Sequence, residues 1–186
     1  MVKIWQKLKE ESLIKDKFGK EVKKAVFKNL IDGKEEEFIL FGQRDWSTLI
    51  PLTPEGMVVT IFEFKQGANK LVHNLPSGTP NFEKESAEEV AKRELLEETG
   101  YQAKQVIFLG PPLWIASRNS WTRFYPFLAF DCQKIKEKED ELEIIETKLY
   151  PLRRWVEMAQ TEIEEPSAVV ATFRALPYLT KYLREH

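Results

Sequence analysis

The sequence predicts a mixed α/β (α+β) sandwich preceded by a small antiparallel sheet, and three observations carry that expectation. Short strand-like runs separated by tight turns fill residues 12–46. One strongly capped helix follows two apolar strands, over residues 87–98. Further strands and then two helices close the chain, an order that is not a regular βαβ repeat and contains no internal repeat.

Taken in order, Leu13-Ile14, Glu21 to Leu30 and Glu37 to Gln43 read as strands. Their turns are Lys17-Phe18-Gly19-Lys20 and Ile31-Asp32-Gly33-Lys34, the second with the Asp-Gly pair that favours hairpins. Pro51 and Pro54, with Gly56, mark a junction, so an N-terminal β unit is expected over residues 1–50 and the main domain over 51–186. Met57 to Phe64 and Lys70 to Leu75 read as strands, the second ended by Pro76-Ser77-Gly78. Ser86 offers an N-cap with Glu89 completing a capping box, and Gly100 stops the helix that starts at Ala87. Val106 to Gly110, Arg123 to Cys132 and Ile144 to Tyr150 read as strands around a charged stretch at residues 134–143. Two helices, Leu152 to Ile163 and Ser167 to Arg184, finish the pattern.

Composition narrows the function classes. The 186 residues suffice for a sizeable core, and 28 basic against 30 acidic residues leave a net charge of −2, without the basic excess that duplex nucleic acid favours. Cys132 is the one cysteine, so no intrachain disulfide forms and a reducing cytoplasmic setting is expected. Met1 to Leu13 alternates charged with apolar residues instead of forming a signal-type apolar run, and Met57 to Phe64 is too short to span a bilayer. Neither a nucleic acid nor a membrane is therefore an expected partner.

The most informative stretch is Arg93-Glu94-Leu95-Leu96-Glu97-Glu98-Thr99-Gly100-Tyr101. At about 100° per helical residue, Glu94, Glu97 and Glu98 share one arc with Ala87, Val90 and Ala91. The apolar stripe thus runs straight into three carboxylates. Such a trio repels itself and resists desolvation unless cations sit among its oxygens. Clustered hard oxygens suit Mg²⁺ or Mn²⁺, with substrate phosphates completing the shell. The contrasting reading is a solvated helix with ion pairs such as Arg93 to Glu97.

Glu85, seven residues, Arg93-Glu94, an apolar residue, one residue, Glu97-Glu98, one residue, Gly100 and Tyr101 together resemble the Nudix box. The resemblance implies a Nudix-like α/β/α sandwich and metal-dependent hydrolysis of nucleoside diphosphates linked to another moiety. Trp5, the Asp-Gly hairpin, Asp45-Trp46 before an apolar strand, and Leu75-Pro76-Ser77-Gly78 before the box are similar to the ADP-ribose and nucleoside-diphosphate-sugar pyrophosphatase branch. That branch implies Mg²⁺ (or Mn²⁺) held by Glu94, Glu98 and Glu97, with the Ser77 carbonyl and a weaker contribution from Glu85. Arg93 would orient a box carboxylate. The general base would come from the acidic loop, Glu143 aligning best and Glu141 standing second. Trp5 and Phe18 match positions of base-stacking rings, Trp46, Trp114 and Trp121 are further aromatic candidates, and Lys65 stands where relatives carry a phosphate-binding Arg. A homodimer with exchanged N-terminal sheets is also implied.

Three departures from the family's pattern stand out. Six residues instead of five separate Gly78 from Glu85, Lys84 replaces the usual Gly, and the branch's proline beyond the box is absent, with Ser117 and Arg118 in its region. The first two bear on backbone geometry beside a main-chain ligand; the third leaves ADP-ribose and other nucleotide sugars equally expected. The expected activity is pyrophosphate cleavage to a nucleoside monophosphate and a sugar phosphate. Its alternatives are a house-cleaning hydrolase of nucleoside triphosphates or dinucleotides, and a non-catalytic nucleotide-sensing module.

Overall fold

A computed structural model of the chain describes residues 4–81, 84–137 and 145–185. The first strands are β1 (Trp5–Lys15), β2 (Glu21–Asn29), β3 (Glu35–Gly42), β4 (Trp46–Pro51), β5 (Met57–Lys65), β6 (Lys70–Asn74) and β7 (Ser77–Gly78). Helix α1 (Ala87–Thr99) is followed by β8 (Tyr101–Gln102), β9 (Gln105–Phe108), β10 (Leu113–Trp114), β11 (Arg123–Phe130), β12 (Gln133–Lys134) and β13 (Ile145–Pro151). Helices α2 (Leu152–Thr161) and α3 (Pro166–Glu185) complete the order.

Two compact units result: Met1–Asp45 with Leu113–Arg123, and Trp46–Pro112 with Phe124–His186. In the first, β1, β2 and β3 form an antiparallel sheet in sequence order. The Asp16 carboxylate accepts the Phe18 and Lys20 amides at 2.9 and 2.8 Å, closing the first turn. Gly33 supplies the positive φ of 73° that the second turn requires. Strand β1 is longer than Leu13-Ile14 alone. Its charged residues hide the strand from hydrophobic patterning, and main-chain pairing with β2 builds it, with register shifts at Lys7/Lys9 and Ser12/Ile14. Gly42 is needed for packing, because a Cβ there would lie 2.6 Å from the Trp121 ring.

In the second unit, β4 lies between β11, parallel to it, and β7, antiparallel to it; β9 adds to β11. A separate antiparallel sheet has the order β13-β5-β6. Alternation along β4 feeds two cores, because successive side chains of a strand face opposite ways. Leu49 joins Ala91, Leu95, Phe127, Ala129 and Cys132 under α1. Ile50 and Leu52 join Leu128, Leu152, Trp155, Ala168, Ala171, Ala175 and Leu179 under α2 and α3. Helices thus cover both sides, the α/β/α arrangement the sequence implies. The Trp155 indole N–H donates to Thr172 Oγ1 at 2.9 Å, so the largest buried ring is also polar-satisfied.

Helix α1 has the expected ends. Ser86 and Glu89 make the reciprocal capping box, and Gly100 takes the left-handed conformation with φ 76°. A Cβ at Gly100 would sit 2.1 Å from the Lys136 carbonyl oxygen, so glycine is required twice over. Cys132 is buried, and burial pushes its thiol up to about 12. Among the described residues no helix is long and apolar enough to cross a membrane.

Candidate active site

The site is built where α1 meets the turn from β6 into β7. Pairing of Thr48 with Ser77 and of Ser47 with Gly78 holds that turn on β4, and the Ser47 hydroxyl donates to the Ala87 carbonyl at the start of α1. Helix and turn are therefore anchored to the same strand. Further along α1, the Ser77 amide donates to Glu98 Oε2 at 3.0 Å. Glu98 is 7% exposed, a carboxylate almost removed from water. Thr147 of β13 donates its hydroxyl to the Glu98 carbonyl at 3.5 Å.

Glu94 lies one turn earlier, against Gly78. A Cβ on residue 78 would fall 1.9 Å from Glu94 Oε1. The carboxylate takes this position only because residue 78 has no side chain. Glycine here serves close approach, since its φ is not in the left-handed region.

Arg93 ties the remaining acids together. Its Nε donates to Glu85 Oε1, and its Nη1 to both Glu94 Oε1 and Glu97 Oε2, each at 2.8 Å; Nη2 reaches the Thr79 carbonyl at 2.9 Å. The Arg93, Glu85 and Glu94 side chains retain 18%, 10% and 14% exposure, whereas Glu97 keeps 37%. A rigid fork of donors can serve three carboxylates and a carbonyl at once, which an ammonium cannot. Burial opposes the guanidinium's charge, yet the surrounding carboxylates outweigh it and raise its pKa above the ordinary value. The Arg93 hydrogen bond, aided by the Asn81 amide, holds the Glu85 carboxyl below its usual range.

Among the described residues no three acidic, histidine or cysteine side chains close into a metal cage of their own. The donor set still fits a hard divalent ion in an open site. Glu94 and Glu98 present carboxylate oxygens from one helix face against the Ser77–Gly78 backbone, and Mg²⁺ commonly takes one or two carboxylates with phosphates supplying the rest.

Other residues singled out by the sequence have contacts of their own. Lys65 pairs with Glu63 at 2.7 Å on β5. Trp46 packs on Phe124 with ring centroids 5.3 Å apart. In the first unit, Trp5 stands edge-on to Phe38 at 5.6 Å, lining a cavity of about 370 Å³ with Phe27, Leu40 and Arg118. Phe18 is 73% exposed at its turn, with the Lys17 ammonium over its ring. Trp121 lies beneath Lys23, and Trp114 beneath Arg123, which also holds Asp45. Glu141 and Glu143 lie outside the described residues. Sequence reasoning missed Thr79, Asn81 and Thr147, which act through main-chain atoms or a single hydroxyl and leave no spacing pattern.

Residues 24–173 match the family model described as the NUDIX domain. That span is most of the chain, and the protein belongs to the Nudix family as a pyrophosphohydrolase of the Nudix type. Among solved structures, the fold is similar to one described as "Crystal structure of ADP compounds hydrolase", with a TM-score of 0.82 and 20% identity over 96% of this chain and 95% of that one. A comparison by sequence with curated proteins gives no match. The hydrolases of this family generally use divalent metal ions.

Proposed function

We propose that the protein hydrolyses the pyrophosphate of ADP-ribose or a related nucleoside diphosphate sugar, with Mg²⁺ (or Mn²⁺), to a nucleoside monophosphate and a sugar phosphate. The observation that carries this reading is the pair of carboxylates, Glu94 and Glu98, laid against the Ser77–Gly78 backbone. The similar solved structure is described as acting on ADP compounds, which supports the choice of substrate class.

Glu94, Glu97 and Glu98 would hold the metal with the Ser77 carbonyl, and Glu85 would contribute more weakly. When bound, divalent ions neutralise the pyrophosphate oxygens and acidify the attacking water. The water oxygen forms a bond to one phosphorus as the bridging P–O bond breaks, and the bridging oxygen leaves on the other phosphate. Arg93 holds Glu94, Glu97 and Glu85 in fixed orientations so that this charge is in place before substrate arrives. We assign the water's proton to Glu143, with Glu141 second, on their place in the sequence. Lys65 offers a point charge to a phosphate, and Trp5, Phe18 or Trp46 a stacking face to the base. A cytoplasmic homodimer paired through the first unit fits the apolar Leu8, Ile14 and Ile39 exposed on its sheet.

The test is incubation with Mg²⁺ and a panel of ADP-ribose, nucleotide sugars, dinucleotides and nucleoside triphosphates, with products separated by anion exchange. Monophosphate products from the sugars are expected. Turnover of triphosphates alone, or saturable binding without products, overturns the reading.

A further inference from the structure

One ordered polar chain in the second unit is not part of the acidic helix. Glu63, on β5, is 8% exposed, and its Oε1 accepts from both the Lys65 ammonium at 2.7 Å and the Asn74 side-chain amide at 3.0 Å. A buried carboxylate is tolerable only with such partners. Asn74, 2% exposed, turns its other atom on the backbone: its Oδ1 accepts the Leu75 amide at 2.8 Å. Leu75 is the residue at which the chain leaves β6, and it is itself fully buried. Two and three residues further on, Ser77 donates to Glu98 and Gly78 abuts Glu94.

Sheet register puts this chain on the site side. Glu63 pairs with Val72 and Ile145, and Ile61 with Asn74 and Thr147. Residues paired across strands, and those two apart along one, share a face. Glu63, Asn74 and Thr147 therefore share the face whose Thr147 touches Glu98. The far side of the turn is already fixed by β4, through the Leu49 amide on the Pro76 carbonyl and the pairing at Ser77 and Gly78. The near side, at Leu75, depends on a side chain.

We propose that Glu63 and Asn74 are positioning residues for this hydrolase. Lys65 balances the buried charge of Glu63, Glu63 fixes the rotation of the Asn74 amide, and Asn74 fixes the Leu75–Gly78 turn against Glu94 and Glu98. The inference rests on the metal-dependent reading above and adds to it two residues outside the helix that hold the metal-facing backbone.

The arrangement needs one carboxylate and one amide, but the two can exchange places. N74D sets two carboxylates 3.0 Å apart where one hydrogen bond stood. E63Q/N74D restores a donor and an acceptor, and the carboxylate now carried at position 74 still accepts the Leu75 amide. Mn²⁺ binding is measured by electron paramagnetic resonance with the metal alone, beside Tm, kcat and KM. N74D is expected to weaken Mn²⁺ binding and lower kcat about tenfold or more, with KM little changed, because a buried hydrogen bond to a charged group is lost. E63Q/N74D is expected to return both within about threefold of the native values, as coupled sites do in double-mutant cycles. Should N74D fail to fold, the double variant must recover the fold and Mn²⁺ affinity together. N74D binding Mn²⁺ as the native protein does, or a double variant without recovery, overturns this inference alone. A native protein that neither binds Mn²⁺ nor cleaves any nucleotide sugar overturns the functional reading and this inference with it.

Discussion

The acidic helix and the N-terminal sheet use the same letters to opposite ends. In β1 to β3, Lys7 pairs with Glu10 at 2.6 Å, Lys23 with Glu10 at 3.3 Å and Lys24 with Glu37 at 2.9 Å, through side chains that keep 24–62% of their surface exposed. In α1, Arg93 meets Glu85, Glu94 and Glu97 at nearly the same distances. What separates the two regions is access to solvent and the number of acids per cation. The sheet's pairs are open to water and screened, so each matters little. Around Arg93, three carboxylates share one guanidinium beside a fourth, Glu98, that is nearly buried. Charge placed this way is available to an incoming ion; charge on the sheet keeps the surface wet.

Substitutions should separate the two regions cleanly. Glu98→Gln is expected to lower kcat/KM by about a thousandfold, several kcal/mol of lost transition-state charge stabilisation, with the fold retained by circular dichroism. Gly78→Ala follows at about a hundredfold, because the Glu94 carboxylate must swing off its place to admit the new methyl group. That swing costs the site more than the fold, so turnover should fall further than Tm. Arg93→Lys is expected to cost roughly tenfold in turnover, since one ammonium cannot serve all the acceptors the fork reaches. Ser86→Ala touches only the helix start and should cost about 1 kcal/mol by denaturant unfolding. Glu10→Gln on the sheet should leave kcat unchanged and shift Tm by no more than about 2 °C.

A pH titration probes the same contrast. The Glu85 carboxyl is held below its ordinary value near 4.5 by Arg93. Its pairing therefore stabilises the fold above that value and is lost as pH falls through the lowered folded-state value. Thermal melts of native protein and Glu85→Gln should differ above pH 4.5 and converge in stronger acid. Curves that stay parallel down to about pH 2 would detach Glu85 from Arg93.

The helix and its acids could be read from the sequence because each depends on local spacing. Ser86, Glu89 and Gly100 set the ends of α1, and Glu94, Glu97 and Glu98 fall on one side of it by helical arithmetic. The two-residue strands β7, β8, β10 and β12 could not be read, since nothing so short has a period. Most of β1 is hidden by its charges, and the parallel pairing of β4 with β11 joins segments far apart in the chain, such as Trp46 and Phe124. Glu63 and Asn74 escape for a related reason: a strand glutamate and an asparagine eleven residues on look like surface residues until the sheet register brings them together. A lysine two residues after Glu63, on the same strand face, is the one clue.

Cys132 has a practical corollary. Sealed under α1 and pushed to about 12, its sulfur stays protonated near neutrality and shielded from alkylating reagents. A cysteine introduced at Phe18 would then be the reactive thiol in an otherwise native background. A dye or spin label attached there could follow the outer hairpin during turnover without first removing any natural sulfur.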